Sequence, residues 1–245
     1  MKESTFSLLF FVGTCLGLKL PPDFRRCRRT DSNTDLCLKN AIQSSLPVLA
    51  KGLPEFDVDS IDPIRIPSLT IGEGKGAVQV IQYYKNVEIH NIKSIIMNNV
   101  KSDIKDDGFS IVANGLLKNC VFEADYNLNG NILVVPITGN GTCTITLVNT
   151  KVTFDITAKV FTRNEKEYLE IKRFDVSLEP EKAEYNFRNL FNGDPTLGDT
   201  MNKILNDNWK DVLDDVKTGY EEALSIIFRR IANLIFKKVP LDEIF

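Results

Sequence analysis

The chain carries few side chains capable of chemistry, and they are scattered. Its one histidine, His90, sits on a segment that reads as a strand, and no second His or Cys lies at ligand spacing to build an acid–base or metal site with it. Two acidic pairs, Asp106-Asp107 ahead of Gly108 and Asp214-Asp215 on a helical stretch, have the setting of solvated turns and helix faces. Gly72, Gly74 and Gly76 alternate as G-x-G-x-G. They lack the G-x-G-x-x-G spacing that brings a dinucleotide to a helix N-terminus, and read as a flexible strand connection. The sequence contains neither a G-x-S-x-G elbow nor a phosphate-binding loop. The chain is therefore read as a non-enzyme, with no catalytic residue, metal or cofactor to nominate.

The five cysteines are the other reactive groups. Phe6 to Leu18 is a short apolar run behind Lys2, with Gly13, Thr14 and Gly17 near a plausible cleavage point. Residues 1–17 thus read as a secretory signal peptide, too short for a membrane anchor, and residues 18–245 as a single extracellular domain. Cleavage removes Cys15 and leaves four cysteines, Cys27, Cys37, Cys120 and Cys143, an even number that allows three pairings in an oxidising compartment. The short loop from Arg28 to Leu36 favours a Cys27–Cys37 bridge. Cys120 and Cys143 lie in two strand-like stretches separated by a third, Asn131 to Thr138. In a meander that would put them two strand spacings apart, so they read either as a pair brought together by curling or as two buried thiols. Asn140-Gly141-Thr142 is an N-glycosylation sequon in a turn-like setting. The net charge of -3 and the absence of a basic stripe with interleaved aromatics argue against nucleic acid. The one dense basic cluster, Arg25, Arg26, Arg28 and Arg29, reads as a solvated loop or as a contact for an anionic surface.

The elements that would carry these residues follow from hydrophobic periodicity. Leu38, Ile42, Leu46 and Leu49 have helical spacing within Leu36 to Leu53, with Pro47 placed to kink the helix and Gly52 to end it. From there to about Arg188 the period falls to two. Val152, Phe154, Ile156, Ala158 and Val160 alternate with Thr153, Asp155, Thr157 and Lys159, the pattern of an antiparallel strand with one wet face. The alternation slips by one residue at Arg173 and between Val80 and Ile81, which suggests bulges. Asn129-Gly130 reads as a hairpin turn. Strands this long coil instead of lying flat.

The C-terminal fifty residues return to the helical period. Asp194 can cap exposed N–H groups, and Pro195 suits the first helical position. Leu197, Met201, Leu205, Trp209, Val212, Val216 and Tyr220 then open an apolar stripe that continues to Leu234 and widens in its second half. An unbroken helix from Asp194 to Val239 would be about 65 Å long, with Gly219 as its expected weak point. The fold class is therefore α+β: a short N-terminal helix, a strongly curved antiparallel sheet, and a long C-terminal helix enclosed by it.

Several blocks of the sequence resemble the takeout and juvenile hormone binding protein family of secreted insect proteins. They are Leu20-Pro21-Pro22; Cys27 and Cys37 followed by the short helix; Leu128-Asn129-Gly130 with Leu133-Val134-Val135-Pro136-Ile137; and Asn189-Leu190-Phe191-Asn192-Gly193-Asp194-Pro195 with Leu205-Asn206-Asp207-Asn208-Trp209. The resemblance covers nearly all of the chain from Leu20 onward. It implies a TULIP-like super-roll in which a curved sheet wraps a long helix around an apolar tunnel, and a non-enzymatic, monomeric carrier of hydrophobic small molecules such as juvenile hormone-like terpenoids, fatty acids or other long-chain lipids. It also implies the Cys27–Cys37 bridge, secretion, and roles in circadian, feeding or chemosensory physiology. Cys120 and Cys143 do not match the second disulfide of the hormone-binding branch, which points to the takeout-like branch. The expected tunnel lining is Val152, Phe154, Ile156 and Val160 from the sheet with Met201, Trp209, Val212 and Tyr220 from the helix. The competing expectation is an extracellular signalling protein that docks to a receptor or a membrane surface and stores no ligand.

Overall fold

The period-two segments form one eight-stranded antiparallel sheet, with the helices packed against it. The computed structural model describes residues 18–245; the expected signal peptide lies outside the described residues. Helix α1 spans Thr34–Leu49, slightly earlier than its sequence pattern, because Gly52, at φ 80, already sits in the left-handed turn that ends it. Strands β1 (Ile64–Ile71), β2 (Val78–Gln79), β3 (Gln82–His90) and β4 (Ile96–Lys105) pack around a two-stranded spine. That spine is β5 (Gly108–Ile132) and β6 (Val135–Arg163), of 25 and 29 residues. At about 3.3 Å per residue β6 would reach roughly 95 Å if straight, several times the thickness of a domain, so it must coil. Strands β7 (Lys166–Glu179) and β8 (Lys182–Phe187) complete the sheet.

Partners change along the spine. The first half of β5 pairs with β4, its middle with β3 and its end with β2. Strand β6 pairs with β8 over Cys143–Val148 and with β7 over Lys151–Arg163. The exchange falls at Asn149, whose φ of 46 breaks the extended run. A second irregularity skips Lys172 opposite Thr157/Ala158, next to the sequence slip at Arg173, and adds curvature.

Three details differ from the sequence reading. The hairpin turn is Leu133-Val134, not Asn129-Gly130: both turn residues have positive φ, at 48 and 64, between the closing pair Ile132 and Val135. Gly130 stays in the strand because a Cβ there would come within 2.4 Å of the Gln79 carbonyl of β2. The residues read as a third strand between the two cysteines are thus the hairpin tip, and β5 and β6 are direct neighbours. Asn140 accordingly lies within β6, exposed and opposite Asn127, instead of in a turn.

The C-terminal helix is two helices, α2 (Pro195–Asp207) and α3 (Trp209–Phe236). Asp194 caps α2, accepting from the Leu197 N–H at 3.0 Å. The break falls at Asn208, whose backbone leaves the helical region (φ -115, ψ 26) while its side-chain amide donates to the Ile204 carbonyl at 2.8 Å. Gly219 remains helical, and its missing Cβ lets Ile71 of β1 approach to 3.0 Å of where that atom would be.

Helix side chains close the roll. Strands β7 and β8 each pair only with β6, so each presents an open edge toward α2 and α3. Asn206 accepts from the Tyr185 N–H at 2.9 Å and donates to the Tyr185 carbonyl at 2.8 Å; Asn202 does the same for Phe187 and Asn233 for Ile171. Each primary amide replaces a missing strand. The spacing fits, because four helical residues advance about 6 Å and two strand residues about 6.6 Å. Ser225 and Glu221 accept the Val176 and Leu178 N–H groups farther along β7. Without these bonds the edges would be unsatisfied or free to pair with another chain.

Candidate functional site

Between α3 and the inner face of the sheet lies an apolar cavity. It leaves about 80 Å³ for the centre of a water-sized sphere, several times the roughly 10–15 Å³ that one water needs on that measure. On the helical side the wall runs from Leu205 through Val212, Leu213, Val216 and Tyr220 to Ile227; on the sheet side Leu69, Val80, Phe122, Ile145, Leu178 and Phe187 are among its residues. From Val212 to Ile227 the helix advances about 22 Å, so the space is long and narrow.

Beyond Ile227 aromatic rings pack against one another. Phe228 of α3 stacks on Phe174 of β7 with ring centres 5.7 Å apart, and both meet Phe154 of β6 edge-on at 6.0 and 5.8 Å. Val212 and Tyr220 line the cavity, whereas Val152, Phe154, Ile156, Val160, Met201 and Trp209 do not. The four β6 residues lie on its β7-paired half, where aromatic rings occupy the volume; Met201 is buried and Trp209 half-buried in the packed core.

The wall carries few polar groups. Gln82 and Tyr220 line it, and with Tyr84 they form a triad: the Gln82 carbonyl accepts from the Tyr220 hydroxyl at 2.7 Å and from the Tyr84 hydroxyl at 2.9 Å, and the two hydroxyls are 2.9 Å apart. Burial pushes Tyr84, Tyr185 and Tyr220 well above the usual phenol range, and each of Tyr84 and Tyr220 is raised further by the proximity of Tyr185. All three stay protonated in neutral solution and act as hydrogen-bonding hydroxyls, not bases. Lys217 is the one cation of the wall.

Cys120 also lines the cavity. Burial, with the charge of Asp62, pushes its thiol up to about 12, and burial pushes Cys143 to about 12 against the opposing bond from the Ala124 backbone. Both are free and protonated, hence unreactive. They lie on neighbouring strands but out of register, Cys120 opposite Leu147 and Cys143 opposite Ala124. Cys27 and Cys37 are joined by a disulfide.

The remaining chemistry-bearing residues lie outside the cavity lining. His90 Nε2 is 3.5 Å from Glu88 and 3.4 Å from Glu123 on the sheet. Among the described residues no group of three His, Cys, Asp or Glu could hold a metal ion, and no described helix is long and apolar enough to cross a membrane. In the arginine cluster, Arg26 pairs with Glu243 and the Arg29 guanidinium lies 5.2 Å from the centre of the Phe245 ring. Asp214 is exposed, but Asp215 is no solvated bystander: its carboxylate accepts from the Lys75 N–H at 2.9 Å, Gly76 at 3.0 Å and Val78 at 2.8 Å. Desolvation acts against ionisation there, but the backbone donors outweigh it and hold the carboxyl below its usual range. The G-x-G-x-G segment is thus a cradle for a carboxylate of the protein itself.

Sequence reasoning missed Gln82, Tyr185 and the three edge-sealing asparagines. The available signal was weak: Gln82 shares a face with Tyr84 at period two, and Asn202 and Asn206 are spaced by one helical turn.

The profile of the haemolymph juvenile hormone binding protein family matches residues 6–245. The circadian clock-controlled protein daywake of Drosophila melanogaster is 29% identical over 234 residues, 92% of this chain and 88% of that one. A putative beta-carotene-binding protein of Schistocerca gregaria is 22% identical over 214 residues, covering 86% and 83%. The crystal structure of Epiphyas postvittana Takeout 1 superposes with a TM-score of 0.80 at 27% identity, over 89% of this chain and 98% of that one. A helix wrapped by a curved sheet, an apolar interior and matches along nearly the whole sequence lead to one assignment: the chain belongs to the haemolymph juvenile hormone binding protein family, in its takeout-like branch.

Proposed function

We propose that this protein is a secreted carrier that takes a hydrophobic small molecule out of water into the cavity beside α3, and that it performs no chemistry on its cargo. The supporting observation is the wall itself, aliphatic and aromatic along about 22 Å of helix with only a few polar groups. Family membership adds to this, since the family comprises binders of lipophilic ligands. Affinity would come from buried apolar area, about 2.5 kcal/mol for each 100 Å² of ligand surface removed from water. Fatty acids, juvenile hormone-like terpenoids and other long-chain lipids fit that description. Circadian, feeding or chemosensory physiology is the corresponding setting, in line with the clock-controlled relative. The narrow space implies that the walls yield as a ligand enters.

The test is to secrete the protein from insect cells, record its native mass spectrum, and analyse an organic extract of the same preparation. The expected result is a lipid co-purifying near one per chain, or, for a delipidated sample, saturable uptake of the neutral probe N-phenylnaphthylamine. A protein that carries no lipid and takes up no such probe is not a carrier of this kind.

A further inference from the structure

Two buried polar atoms of the cavity-lining residues have no hydrogen-bond partner among the described residues: the Gln82 side-chain nitrogen and the Tyr185 hydroxyl. Gln82 is 6% exposed and Tyr185 8%. Leaving such groups unpaired is costly, and most buried polar atoms in folded proteins are satisfied. Neither atom is left over by accident of flexibility. The Gln82 carbonyl is fixed by two tyrosine hydroxyls, which orients its amide nitrogen away from them. The backbone of Tyr185 is pinned on both sides by Asn206, and its side chain is buried in the cavity wall. Around them the wall is mostly hydrocarbon, and no protein group among the described residues is bonded to either atom.

We infer that Gln82 and Tyr185 form a polar anchor for the cargo, and that the cargo is an uncharged lipophile with a hydrogen-bond-accepting oxygen, such as an ester or ketone, flanked by apolar chain on both sides. The Gln82 nitrogen can only donate, and the Tyr185 hydroxyl can donate, so the complementary group is an acceptor. It is uncharged because the Gln82 nitrogen and the Tyr185 hydroxyl are both neutral groups, so an ionised carboxylate placed on them would lose its hydration without being neutralised; Lys217, the one cation of the wall, is the competing contact. It lies within the ligand because Tyr220, the partner of Gln82, falls midway between Val212 and Ile227 along the wall. This assignment rests on the carrier reading and narrows it.

The test compares three probes of similar length on the delipidated protein by displacement of N-phenylnaphthylamine: octyl octanoate, hexadecane and palmitate. Wild type should prefer the ester to the hydrocarbon. Tyr185→Phe and Gln82→Met should each weaken ester binding by about three- to tenfold, the scale of one lost hydrogen bond, and leave hexadecane within about twofold. Tyr185→Phe also removes a buried hydroxyl with no partner, so the ligand-free variant should melt no lower than wild type; a merely structural hydroxyl would show the reverse. Unchanged ester preference in both variants, or no ester preference in wild type, overturns the anchor and leaves the carrier reading intact. A preference for palmitate that disappears in Lys217→Met overturns it by moving the polar contact to that lysine. Failure of wild type to bind N-phenylnaphthylamine at all sinks the carrier reading and the anchor with it.

Discussion

Replacing Asn206 by Leu should open the roll at β8. The side chain fits a half-buried helical position and keeps its volume, but the Tyr185 N–H and carbonyl both lose their partner. An unsatisfied buried backbone group costs about 1–3 kcal/mol. Because this edge is only partly shielded and water can reach it, the two together should cost about 2–3 kcal/mol. For a protein of this size each kcal/mol lowers the melting midpoint by roughly 2–4 °C, which gives a fall of about 5–10 °C in a circular-dichroism melt. Hydrogen exchange localises the effect: the Tyr185 amide should exchange much faster in the variant, while amides in the middle of β5 change only by the global loss. The Asn206→Asp variant separates the two bonds, since a carboxylate still accepts from the Tyr185 N–H but faces the Tyr185 carbonyl with no proton to donate. A Leu variant that melts within about 1 °C of wild type, with its Tyr185 amide still protected, would refute the view that helix amides stand in for a missing strand.

Gly74→Ala and Asp215→Ala should destabilise by similar amounts and non-additively, because a Cβ at Gly74 would fall 2.0 Å from the Asp215 carboxylate and so attacks the same contact; additive losses in a double-mutant cycle would contradict the shared origin. The folded-state pKa of Asp215 is lowered, so its contribution is present above the unfolded carboxylate value and is lost as pH falls through the folded one; the gap between wild type and Asp215→Asn should therefore narrow in acid, and a gap that widens would reverse the sign. Val134→Gly should stabilise the hairpin tip by up to about 1 kcal/mol, since a β-branched residue at φ 64 is strained and the side chain is 91% exposed with little packing to lose; a lower denaturation midpoint would show that Val134 has contacts worth more than its strain.

What was legible in the sequence was local. The alternation at Val152–Val160 and the stripe from Leu197 to Tyr220 show which way side chains face, and Asp194-Pro195 marks a helix start through bonds made within three residues. What was not legible depends on partners distant in the chain. Asp215 looked like a solvated helix residue because its cradle lies 140 positions away. Asn129-Gly130 has hairpin chemistry, but the approach of β2 at Gly130 gives the pair another use, and the turn moves to two residues whose types argue against it. Beyond the one-turn spacing of Asn202 and Asn206, nothing in the sequence singles out these two and Asn233 as edge-sealing residues, although they sit where the strand edges need them. The lining residues show the same limit: period two places Val152 through Val160 on the inner face, and whether that face meets a ring or a void depends on side-chain volumes from three elements at once.

The same sheet face can be solid at one end and hollow at the other because β6 changes partner at Asn149. On its β7 side Phe154 and Phe174 meet Phe228 and fill the gap to the helix. On its β8 side Ile145 lies opposite Tyr185 and Leu147 opposite Ala183, the helix breaks between α2 and α3 at Asn208, and the wall is completed by aliphatic side chains that do not reach across. The cavity lies where the aliphatic face of α3 meets the β8-paired half of β6. At this end α2 is held by the Asn208 amide at the Ile204 carbonyl together with the two asparagines that bond it to β8. The same short stretch, Asn202 to Asn208, thus carries Leu205 of the wall and the asparagine that holds the Tyr185 backbone, so substitutions there would act on the cavity's end and on Tyr185 together.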